Sequence, residues 1–177
     1  AYATAVAEFA GAVARRYPWL RDYTPINEPL TTARFGCLYG FWYPHSRSEP
    51  EFMRALVTLC RATVMSMQAV RAVNPAARLV HTEDLSWSHA TARLAPQAEF
   101  ENERRWLGLD LICGRLDREH PFHARLLQMG IGEHELAWFL ENPCPPDVFG
   151  CDYYPTSERV LDERLGRYPP WSHGGNY

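Results

Sequence analysis

The chain has 177 residues, 46% of them hydrophobic and 22% charged, with a formal net charge of -3. That is the composition of a globular domain with enough chain for one core, and its mild acidity leaves no footprint for nucleic acid or for an anionic membrane surface. No stretch approaches the roughly 20 apolar residues of a membrane span, no signal peptide is visible, and the scattered Cys37, Cys60, Cys113, Cys144 and Cys151 form no C-x-x-C pair, the pattern of reduced thiols in a cytoplasmic protein.

Tyr2, Val6, Phe9, Val13 and Tyr17 recur at spacings of three and four, which predicts an amphipathic helix over residues 2–17. Pro18 ends it. No capping residue precedes it, so the chain is expected to begin inside a helix, short of its native N-terminus. Residues 22–27 read as a short strand, and Leu30 to His45 as a long aromatic loop. Ser48 and Glu51 have capping-box spacing with Pro50 in the first turn. Phe52, Leu56, Leu59, Thr63, Met67 and Val70 then carry a helix to a stop at Asn74-Pro75. Arg78 to His81 reads as the next strand and Thr82 to Ala98 as a long loop. Helical patterns resume around 99–108, 122–128 and 133–141, Val148 to Tyr154 reads as a third strand, and Arg167 to Tyr177 as loop. Alternation of this kind predicts an α/β fold, a parallel sheet with helices packed outside it. Three strands cannot close a barrel of eight, which takes roughly 250 residues. The chain is either a small three-layer domain or a central piece of a barrel.

The strand ends carry the polar residues: Asn27 and Glu28, then His81, Glu83 and Asp84, then Asp152 and Tyr154. In a barrel such ends converge on one mouth. Hydrolysis of a glycosidic bond needs two carboxyl groups there, one protonating the leaving oxygen, the other attacking the anomeric carbon or activating water. The acid must hold its proton near neutral pH, which burial or a neighbouring carboxylate achieves. Glu28, between Pro29 and an aromatic loop, suits that role, and Asn27 suits a hydrogen bond to a sugar hydroxyl. The plainer reading of each carboxylate is a solvated loop residue or a helix cap. Two rival functions stand beside hydrolysis. His81, Glu83, Asp84 and His89 gather metal-ligand types at one strand end, as in barrel amidohydrolases, although neither they nor His120-x-x-His123 match a zinc spacing. A barrel can also keep a sugar pocket and lose catalysis, serving as a non-catalytic carbohydrate-binding or regulatory domain.

Ile26-Asn27-Glu28-Pro29, then Gly36-Cys37-Leu38-Tyr39-Gly40 and Tyr43-Pro44, resembles glycoside hydrolase family 1, the β-glucosidase family, in which an Asn-Glu-Pro closes the fourth strand. The Asn74-Pro75 helix stop, the His120-Pro121-Phe122 and Leu126-Leu127 segment, and Asp147 to Ser157, similar to the family's sixth strand, follow in family order. The resemblance implies that residues 1–177 are a fragment of a single partial (β/α)8 TIM barrel, roughly from the third helix to the sixth strand. It implies a retaining hydrolase of O-glycosidic bonds with Glu28 as acid/base and Asn27 on the sugar hydroxyl beside the anomeric carbon. Tyr154 would hydrogen-bond the nucleophile, Glu83 or Asp84 would occupy the fifth strand's tip, and Trp42 and Trp87 would line the pocket or simply pack. The partner is a carbohydrate or glycoside, with no cofactor and no metal. Asp152 stands where the family carries Asn, and Trp42-Tyr43-Pro44-His45 replaces an Ala-Pro-Gly. The family's nucleophile motif, Thr-Glu-Asn-Gly, does not occur in the 177 residues, so this stretch alone is expected to be inactive.

Overall fold

The computed structural model describes residues 1–173; Gly174 to Tyr177, the end of the tail read as loop, lie outside the described residues. Helix α1 (Tyr2–Arg16) leads into a short strand β1 (Asp22–Tyr23). A one-turn helix α2 (Pro29–Ala33) runs directly into a π-helical turn (Arg34–Leu38), and the long helix α3 (Glu49–Arg71) follows. Then come β2 (Arg78–Asp84), β3 (Ser88–Ala90), α4 (Ala95–Arg104), α5 (Leu107–Ile112), α6 (His123–Gln128), α7 (Glu133–Glu141), β4 (Val148–Asp152) and β5 (Arg159–Leu161). Single 3-10 turns at Leu165–Arg167 and Pro170–Ser172 occupy the described part of the tail.

The sheet has the order β1-β2-β4, all parallel, with β2 in the centre. Asp22 pairs with Arg78 across the first ladder, and Asp84 with Asp152 at the end of the second. Gly150 sits opposite Thr82, and a Cβ there would lie 2.8 Å from the Thr82 methyl, so only glycine lets the two strands meet. Beyond the strand tips, β3 and β5 form a second small parallel sheet. No closed barrel is present among the described residues; the three strands form an open arc.

Helix α3 forms as its sequence prescribes. The Ser48 hydroxyl accepts the Glu51 N–H at 3.4 Å, Pro50 lies in the first turn, and the stop at Asn74 is fixed because its side chain accepts from Ala76 N–H and donates to the Leu20 carbonyl. Phe52, Leu56, Val64, Met67 and Val70 are fully buried and pack with Leu79, Leu107, Leu111 and Phe139 into one core between the sheet and the helices.

Several expectations are corrected. Helix α1 turns Ala3, Ala7, Gly11 and Ala14 to the core rather than its large apolar row. Gly11 comes so close to α3 that an added Cβ would touch that of Ala69 at 3.4 Å. Small residues let the helix axes approach, so Tyr2, Phe9 and Tyr17 stay exposed, Phe9 by 70%. The strand predicted over 22–27 pairs only at Asp22 and Tyr23; beyond them the Thr24 hydroxyl, not a main-chain group, bonds the Val80 carbonyl at 2.9 Å. The aromatic loop from Leu30 contains α2 and the π-helical turn. The loop predicted over Thr82 to Ala98 contains the last three residues of β2, all of β3 and the start of α4. Asn102 of α4 fixes β3 by bonding both the N–H and the carbonyl of Ser88 at 2.9 Å, a long-range tie that no local pattern announces.

Candidate active site

Glu28 sits where β1's exit becomes a helix. It occupies the N-cap position of α2 with φ 42°, the left-handed region, and Pro29 supplies the first helical residue. A non-glycine residue in that region is strained and persists only when its surroundings hold it. The holder is Glu83. Its Oε1 accepts the Leu30 N–H at 2.8 Å, satisfying one of the donors that a helix start leaves open.

Side chains alternate along β2, and that alternation separates the two acidic residues at its end. Glu83, 1% exposed, faces the helices: its Oε1 lies beside Gly108 of α5, where Leu56 and Cys60 of α3 also pack. His81 lies on the same side, 3.9 Å away, with both ring nitrogens lacking hydrogen-bond partners among the described residues. Burial pushes the Glu83 carboxyl up to about 8, against the pull of the Leu30 N–H and Arg34, and burial pushes His81 down to about 4. Both are neutral near pH 7. Asp84 belongs to the other face, with Thr82. It accepts from the Ser86 N–H and hydroxyl at 3.1 and 2.8 Å, and Arg34 stands 3.6 Å from its second oxygen.

Asn27, Glu28, Asp84 and Asp152 come together at the strand ends. The Thr82 hydroxyl donates to Asn27 Oδ1 at 2.9 Å, which fixes the amide and leaves its NH2 for an outside acceptor. Partial burial, then a hydrogen bond shared with Asp152, then the charges of Asp152 and Asp84 raise the Glu28 carboxyl to about 7, opposed by Arg34.

Tyr154 and Trp42 remain outside this cluster. Tyr154 is 59% exposed and Trp42 48%, its ring packed on Phe35 at 5.0 Å. Trp87 stacks on Arg105. Arg34 is a member of the cluster's surroundings that no motif in the sequence marks. It is buried, donates to Thr31 at 3.3 Å, stands 3.6 Å from Asp84, and opposes the rise of the Glu28 and Glu83 carboxyls. Its signal was available in Pro29, a helix-start residue that places Arg34 at the end of α2 rather than in a loop.

The cluster imagined for a metal is dispersed. His81 is buried under the sheet, Asp84 lies on the opposite face, His89 pairs with Glu158 at 3.2 Å, and His120 with Asp110 at 3.3 Å. No group of three or more His, Cys, Asp or Glu side chains is arranged to hold a metal ion among the described residues.

Neither a protein-family model nor a curated protein sequence matches the chain. Solved structures do. A family 1 β-glucosidase from Thermotoga maritima superposes with a TM-score of 0.75 at 20% identity, over 90% of this chain and 36% of that one. The chain is similar in fold to part of that enzyme. The same β-glucosidase in complex with cyclophellitol gives a TM-score of 0.75 at 20% identity over the same shares. In complex with noeuromycin it gives 0.72 at 21% identity, over 86% of this chain and 35% of that one. The chain thus spans about a third of the length of the structures it matches. Among the described residues no helix is long and apolar enough to cross a membrane.

Proposed function

We propose that residues 1–177 are the central part of one (β/α)8 barrel, from about its third helix to its sixth strand, in a retaining glycoside hydrolase of the β-glucosidase type. The observation that carries this reading is the setting of Glu28: a carboxyl at the start of α2, gathered with Asp84 and Asp152 at the strand ends and raised to about 7 by burial and by Asp152. That is what protonation of a glycosidic oxygen at neutral pH requires. In the first step Glu28 gives its proton to the leaving oxygen as a second carboxylate attacks the anomeric carbon. In the second step, Glu28, now a carboxylate, takes a proton from the water that releases the sugar. The free NH2 of Asn27 meets the neighbouring sugar hydroxyl, Asp84 with Arg34 forms the polar floor, and Trp42 and Tyr154 border the opening, Tyr154 toward the nucleophile. Glu83 is a positioning residue that fixes the left-handed turn at Glu28.

Asp152 acts on Glu28 as the neighbouring carboxyl that helps to raise it, and the attacking carboxylate of a retaining pair, which stands about 5–5.5 Å from the acid, is assigned elsewhere. The nucleophile is supplied from beyond this stretch. Aryl β-glucosides test the reading. The 177-residue chain alone should give no turnover. The full-length parent should hydrolyse them, and Glu28→Gln should lower kcat/KM by about 10²–10⁴, more for a poor phenol leaving group than for dinitrophenol, which departs without a proton. Equal losses for both leaving groups would refute an acid role for Glu28. A parent that binds glucosides without cleaving them would favour the non-catalytic reading.

A further inference from the structure

A concavity of about 590 Å³ opens between the segment around Leu38 to Glu49, α4 and α6. Its lining includes Leu38, Phe41, Arg47, Phe100, Arg104 and Arg125, and neither Glu28 nor Asp152. Its charges are unevenly matched. Arg125 is committed to Glu49 through two bonds of 2.5 and 2.7 Å. Glu101 accepts from Ser88 at 2.9 Å and Gln97 at 3.0 Å. Arg104 is 8% exposed and lies over the Phe52 and Phe100 rings. Its one hydrogen bond among the described residues goes to the Tyr39 hydroxyl at 3.4 Å. Glu49 and Glu101 attract it through space without pairing with it. A buried guanidinium has five donors and a large desolvation cost, which a planar anion offsets best. Arg47 stands at the rim, exposed, in no ion pair among the described residues. Three arginines against two glutamates leave one positive charge, so a monoanion balances the cleft and a phosphate dianion overfills it. Phe41 and Leu38 offer apolar wall, with the Phe100 ring beneath Arg104 and Arg125 and against Phe122, and the volume falls in the range of small-ligand sites.

We propose that this cleft binds a small aromatic carboxylate, its carboxylate between Arg104 and Arg47 and its ring on Phe41 and Leu38. The site is distinct from the Glu28 cluster. Tyr39 stands between them, its hydroxyl taking Arg104 on one side and its ring carrying Arg34 at 5.7 Å on the other.

Calorimetric titration with 2-naphthoate tests this, with 2-naphthamide as the uncharged match and inorganic phosphate as the plain anion. Saturable binding of one naphthoate is expected, at least tenfold tighter than the amide. Arg104→Gln should weaken it tenfold or more and Arg47→Gln several-fold, with Glu28→Gln leaving it unchanged. Arg47 is on the surface, so its variant folds even if Arg104→Gln does not. The proposal fails if naphthoate does not saturate, if the amide binds as well, if phosphate binds more tightly, or if Arg47→Gln changes nothing.

Discussion

Glu28 is held in two unfavourable conditions at once, a left-handed backbone and a half-buried carboxyl surrounded by other carboxyls. Such strain is retained where function needs it. Glu28→Gly removes both, and is expected to raise stability by about 1–2 kcal/mol in urea unfolding while abolishing hydrolysis in the parent. A loss of stability would show that the surroundings depend on the carboxyl. After burial, Asp152 is the next cause that raises the Glu28 carboxyl. Asp152→Asn removes its charge and leaves an NH2 that favours ionised Glu28, so the alkaline limb of the kcat/KM profile should move down by about one pH unit or more. An unmoved limb would mean that another group titrates there. The buried pair beneath the site gives stability slopes of opposite sign. Glu83 and Glu28 have raised folded pKa values, so the folded state holds more protons than the unfolded chain from about 4.5 upward, and stability falls as pH rises through about 7 and 8. His81 is lowered to about 4, so its contribution is lost as pH falls from its ordinary 6.5 through 4. Above pH 6.5 only the carboxyls act. Between pH 6.5 and 8, Glu83→Gln should remove about 2 kcal/mol of the stability loss, read from urea midpoints. An unchanged slope would place the proton elsewhere.

At the scale of elements, what the sequence made legible follows how local each cause is. Helix α3 was readable from Ser48, Pro50 and Asn74-Pro75 because its caps and apolar rows are all in one segment. Asn27-Glu28-Pro29 is only partly legible: Pro29 marks the helix start, but the strand read up to Asn27 stops at Tyr23 and Glu28 caps α2. Helix α1 was readable as a helix and misread as to its face. Periodicity marks where large apolar residues lie, but a close helix pair selects the small ones, and Ala3, Ala7, Gly11 and Ala14 lie against α3. A strand ended at His81 leaves Glu83 and Asp84 indistinguishable. Continued to Asp84, the alternation from buried Leu79 puts Glu83 with the helices and Asp84 with the site. Arg34 is illegible while Leu30 to His45 reads as loop, because its place at the α2 end depends on a helix there, and the tie from Asn102 to Ser88 bridges two elements that no short window joins. The α1–α3 contact is testable by size. Ala14→Leu, at a fully buried position, should cost about 1–3 kcal/mol by overpacking. Phe9→Ala, on the open face, should stay within about 0.5 kcal/mol in this chain. The reverse order would mean that α1 packs by its large row after all.

At the scale of the molecule, the open arc leaves surfaces that a closed fold would cover. Strand β4 pairs only with β2 among the described residues, and Val148 and Phe149 on it are exposed. On the other flank Tyr2, Phe9, Tyr17 and Trp19 form an uncovered aromatic surface around α1. A strand edge with exposed apolar side chains is a template for pairing with another chain, and contiguous apolar surface adds the driving force. A net charge of -3 supplies little repulsion to oppose it. The 177-residue chain is therefore expected to self-associate, its sedimentation coefficient rising with concentration across the micromolar range. Phe149→Lys places a charge on the edge and should shift that rise to higher concentration, leaving the Glu28 cluster in place because β4 meets it through Asp152 and not through Phe149. In the parent, where the remaining strands of the barrel would cover this edge, the same substitution should instead destabilise, since it would bury an unpaired charge. A chain that sediments as a monomer at all concentrations and unfolds in one cooperative step would mean that the arc is a domain in its own right.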